Sequence, residues 1–196
     1  MTSAEQLKQD LDYVASAVRR RDRCVGVPAI YFLWAAIVLV GFALPDFADR
    51  YAGAFWLVAG IGGGLLSWRL GELDARKHGV NDRELGLRHG YHWLIGGVAF
   101  FLCALPAIVG RADIGDTVSS FLLVAGLLYA LAGVHLERPL LWSGLLMLAA
   151  YAVLVLFAPP YTWTITGIVI AVSLAWAGLA AQRSRRADAP QAEAPQ

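Results

Sequence analysis

The chain has 196 residues, of which 58% are hydrophobic and 16% charged, and its mean hydropathy is +0.57. Such a composition excludes an ordinary water-soluble domain, which needs a larger charged share to cover its core. A net charge of +1 gives no reason to expect nucleic acid as a direct partner, so the information lies in where the charges sit.

Residues 1–24 are polar but periodic. Leu7, Leu11, Val14 and Val18 fall on one helical stripe, and both Thr2-x-x-Glu5 and Ser3-x-x-Gln6 fit a capping box. Arg19, Arg20, Arg21 and Arg23 follow as a basic cluster. This predicts a cytoplasmic amphipathic helix that lies on anionic headgroups or docks a cytosolic partner.

Between residues 25 and 182 lie six apolar runs near the length that a bilayer core requires: Pro28 to Leu44, Ala52 to Leu70, Tyr91 to Val109, Thr117 to Leu136, Leu140 to Ala158 and Trp163 to Ala181. Their short connections, Glu137-Arg138-Pro139 and Pro159 to Thr162, force neighbouring spans into antiparallel hairpins. Of the 16 lysines and arginines, all but Arg50 and Arg111 fall on one side when the connections are numbered alternately. The positive-inside rule then predicts an inner (plasma) membrane protein with both termini cytoplasmic. Residues 183–196, rich in Ala, Pro and Gln, read as a disordered cytoplasmic tail.

The spans carry an internal echo. "ALPDFADR" at 43–50 is matched by "ALPAIVGR" at 104–111, and "FWLVAG" at 55–60 by "FLLVAG" at 121–126, with a fainter third copy around Pro159. The expected fold class is therefore all-α, a polytopic bundle of six transmembrane helices built as three tandem two-helix hairpins of one orientation. Pro45 and Pro106 read as helix stops at the outer corners, with Arg50 and Arg111 pinned to the headgroups. Gly60, Gly64 and Gly71 read as a small-residue face for helix packing. Tryptophans 34, 56, 68, 93, 142 and 163 read as interfacial anchors.

Candidate chemistry is sparse. Apart from Arg69 at an edge, none of the six runs contains Asp, Glu, Lys or Arg, which argues against proton-coupled transport and intramembrane proteolysis. No phosphate loop, nucleophile elbow or Cys-x-x-Cys pattern occurs, so no enzyme and no cofactor is expected. The histidines gather at the cytoplasmic edge. His89 and His92 share a helix face at i and i+3, and with His135 and Glu72 they make the one candidate cluster for a divalent metal.

The order "DLDYVASAVRRRD", a short gap, then "PAIYFLWAAIVLVGFALPDF" resembles the start of a group of small bacterial membrane proteins with an N-terminal amphipathic helix. In that group the genes often lie beside a winged-helix regulator, so the resemblance implies a regulatory partnership. The Gly/Pro-punctuated hairpins also resemble the six-span family that includes the acid-resistance membrane protein of enteric bacteria. The resulting expectation is a non-enzymatic regulatory, sensor or scaffold protein that engages the bilayer and a cytosolic partner. The alternative is a small transporter or channel for a neutral solute or ion, acting alone or as a homo-oligomer.

Overall fold

A computed structural model of the chain describes residues 6–9, 11, 26–78, 83–113 and 117–187. It is all-α: α1 (Pro28–Phe47), α2 (Ala52–His78), α3 (Arg83–Ile108), α4 (Val118–His135), α5 (Arg138–Phe157) and α6 (Thr162–Ala187), with one 3-10 turn at Asp49–Tyr51. Each of the six contains a stretch long and apolar enough to cross a membrane. Residues 6–9 and 11 are helical, and Leu7 and Leu11 are exposed. Val14, Val18, Arg19, Arg20, Arg21 and Arg23 lie outside the described residues, as does the tail at 188–196.

Proline sets helix starts more firmly than helix stops. Pro28 and Pro139 occupy first turns of α1 and α5, where a missing N–H costs nothing. Pro45 and Pro106, expected to terminate their spans, sit inside helices that run two residues further, to Phe47 and Ile108. A proline this late forfeits one hydrogen bond and leaves the last turn intact. The stop after α3 comes from Gly110 in the left-handed region (φ 69°), with Arg111 N–H donating to Pro106 O at 2.9 Å and Gly110 N–H to Ala107 O at 3.1 Å. Those two bonds satisfy carbonyls that the helix end would otherwise leave bare.

Helices α1, α4, α5 and α6 enclose the core, with the closest packing between α1 and α6 and between α4 and α5. Leu122, Leu140, Met147 and Leu174 are fully buried there. The α4–α5 approach depends on absent side chains: a Cβ on Gly133 would lie 2.1 Å from the Leu141 nitrogen, and one on Gly144 2.2 Å from the Ala130 nitrogen. Helices α2 and α3 are peripheral. Only 6% of each one's apolar window is buried, against 50% for α6. Helix α2 rests on α1 through Trp34 Nε1–H donating to Ser67 Oγ at 2.9 Å, and α3 rests on α4 through the Trp93 and Tyr129 rings, 5.1 Å apart. Within α2, Gly63 meets Ile37 and Trp34, whereas Gly60, Gly64 and Gly71 have no atom within 4 Å of where a Cβ would stand.

The three expected hairpins do not pack alike. Gly60 in "FWLVAG" faces open space, while its counterpart Gly126 in "FLLVAG" packs on Leu148. Nor are the tryptophans alike. Trp68 and Trp142 are exposed, but Trp163 is 8% exposed and belongs to a buried aromatic group with Phe42 and Phe121, ring centroids 5.6 Å from each.

At one end of the bundle, α2, α3 and α6 continue beyond their apolar runs. Twenty-seven residues in α2 correspond to roughly 40 Å of helix, well over the thickness of a hydrocarbon core. This basic end carries Arg69, Arg76, Lys77, Arg88, Arg138, Arg183, Arg185 and Arg186. The opposite end carries Arg50 and Arg111, both exposed, with the Arg50 guanidinium 4.5 Å from the Tyr51 ring centre.

Candidate functional site

The link from α4 to α5 is two residues, Leu136 and Glu137. Both backbone N–H groups donate back to Ala132 O, at 2.7 and 2.9 Å, so the chain turns within the last turn of α4. Glu137 sits at the start of α5 in extended conformation, and its side chain does not cap that helix. The close α4–α5 crossing points the carboxylate inward instead. Glu137 is only 6% exposed.

Three groups meet that carboxylate. Oε2 accepts from the Gly26 backbone N–H at 2.8 Å and from the Tyr31 hydroxyl at 2.7 Å. Oε1 lies 3.2 Å from His89 Nε2. A buried carboxylate is costly unless its lone pairs are met, and hydrogen bonds to an ionised acceptor are the strong kind. Glycine is required at 26, because a Cβ would stand 2.5 Å from the Tyr31 hydroxyl oxygen and 2.6 Å from Glu137 Oε2. One side chain thus joins four segments: the chain leading into α1, α1 itself, α3 and the α4–α5 link.

The sequence-derived metal candidates are placed separately. His89 contacts Glu137, and His92 Nε2 lies 3.2 Å from Leu128 O with its ring edge-on to Trp93. His135 is exposed at the end of α4. Glu72 pairs within its own helix, with Arg69 at 3.2 Å and with Arg76. Among the described residues no three His, Cys, Asp or Glu side chains gather at metal-ligating distances.

Two further carboxylates join helices distant in sequence. At the basic end Asp74 of α2 takes both guanidinium nitrogens of Arg185 in α6, one bond measuring 2.9 Å, a bidentate pairing. At the opposite end Asp46 Oδ2 accepts from the Thr164 N–H at 2.7 Å and from its hydroxyl at 2.6 Å. This carboxylate, supplied by α1, satisfies the first turn of α6 and faces the positive end of its dipole.

Sequence reasoning singles out His89, expects Asp74 to pair with His78 on its own helix where the structure pairs it with Arg185, and passes over Glu137, Asp46 and Tyr31. One signal is available for Glu137. A connection this short between two membrane-length runs leaves little room for a carboxylate to reach water, so an inward partner should be sought.

No family model matches the chain, and no curated protein or solved structure does.

Proposed function

We propose that the chain is a non-enzymatic integral membrane protein that works as a regulator, sensor or scaffold, engaging a cytosolic partner at its basic end. The observation that carries this reading is the Glu137 junction. It fixes the chain at Gly26, just after the polar segment 1–24, to three elements of the bundle. A segment that bears an amphipathic stripe and four clustered arginines is thereby attached to the membrane domain at a defined point. Fully buried Leu122, Met147 and Leu174 pack the bundle beside the buried hydroxyls of Ser143, Thr166 and Ser173, of which Ser143 donates to the Ser173 carbonyl at 3.0 Å.

The test is reciprocal co-purification from native membranes. The full-length chain should recover a cytosolic protein that in turn recovers the chain, and deletion of residues 1–23 should abolish both. Equal recovery by the deletion variant, with that variant still inserted in the membrane, removes the reading.

A further inference from the structure

We propose that Glu137 is a relay, coupling the position of the peripheral helix α3 to the anchoring of the chain at Gly26. The contacts that make it one come from opposite sides. His89 reaches Oε1 from α3, while Gly26 N–H and Tyr31 O–H hold Oε2. A carboxylate is planar and rigid, so what moves one oxygen moves the other.

The elements on the two sides differ in how firmly they are held. Tyr31 is buried in the α1–α6 seam, where a Cβ on Gly178 would lie 3.1 Å from the Tyr31 Cβ. Helix α3 has only 6% of its apolar stretch buried and, among the described residues, leans chiefly on α4. Low contact density marks the elements that shift first when a bundle responds to its surroundings. Near this end Arg88 pairs with Glu84 on the same helix, Asp74 with Arg185, and His92 with the Leu128 carbonyl. Displacement of α3 is therefore felt at Glu137 through His89, and at Gly26 through Glu137. In the proposed regulator this makes attachment of the N-terminal segment depend on how α3 sits in the bilayer.

The inference relies on the reading above for what the N-terminal segment does. Its test does not, because it needs no partner. In the full-length chain in lipid nanodiscs, hydrogen exchange at the Gly26 amide is followed alongside spin-label distances between positions 11 and 142, both exposed; Cys24 and Cys103 are replaced in the labelled chain. His89→Leu lies on α3, yet it should speed Gly26 exchange about tenfold, the scale of losing one charge-assisted hydrogen bond, and broaden the 11–142 distribution. Glu137→Ala should do the same, and the double variant should go no further than Glu137→Ala alone. Arg88→Ala, one residue away and exposed, should leave both readings unchanged. Unchanged Gly26 exchange in a folded His89→Leu chain overturns the relay, as do additive effects in the double variant. Should the leucine variant lose its fold, His89→Phe keeps the bulk of the ring and removes its nitrogens; faster Gly26 exchange then supports the relay, and unchanged exchange overturns it.

Discussion

Glu137 and Asp46, carboxylates at opposite ends of the bundle, are each met by donors from another helix, and the two differ in what a substitution leaves behind. At Glu137, Tyr31→Phe deletes a hydroxyl at 2.7 Å and keeps the ring, so the carboxylate stays buried with one bond fewer. Unfolding in mild detergent should show a loss of about 1–3 kcal/mol. At Asp46 the partner is a helix start, and Asp46→Ala bares the Thr164 N–H; the loss should resemble that of an N-cap, about 0.5–2 kcal/mol. If Tyr31→Phe proves neutral, the Glu137 bonds are not stabilising the bundle. The sequence exposes these residues unevenly. His89 is visible because two histidines share a helix face, but its carboxylate lies 48 positions away and Tyr31 lies 106 from Glu137. No local pattern encodes pairings of that span.

Helices are legible in the sequence, and their neighbours are not. The apolar runs locate all six, but lipid and protein interior are equally apolar, so no polar stripe distinguishes a lipid-facing side from a buried one. Helices α2 and α6 both read as apolar spans yet differ from 6% to 50% in burial. The glycines suffer the same ambiguity, since the residue type allows close approach without saying where one occurs. Gly60, Gly64 and Gly71 stand out by their spacing; within the chain the tight crossing is made by Gly133 and Gly144. The consequence is a test with opposite signs. Gly133→Ala and Gly144→Ala should each drive the α4–α5 pair apart and cost several times the helix-propensity gain, whereas Gly60→Ala and Gly64→Ala should be neutral or stabilise by up to about 1 kcal/mol. Melting temperatures of the four variants in one detergent decide it. Destabilisation at Gly60 or Gly64 would mean that something outside the chain approaches that face.

At the scale of the whole molecule, charge and fold support the same axis. The six helices bring Gly26 and the last turns of α6 to one end, and that end carries most of the described basic residues, the extended turns of α2, α3 and α6, and the Glu137 and Asp74 junctions. Arginine and lysine are retained on the cytoplasmic side during insertion, so the asymmetry predicts an orientation as well as marking an end. The basic end should face the cytoplasm. With native cysteines replaced, a single cysteine at Arg111 on the opposite end should react with a membrane-impermeant maleimide in intact spheroplasts. One at Arg183, exposed on the last turns of α6, should react only after lysis. The reverse pattern would invert the protein and place segment 1–24 outside, ending any role for it with a cytosolic partner. Equal labelling of both sites in sealed cells would instead indicate mixed insertion, which the near-complete segregation of arginine and lysine argues against.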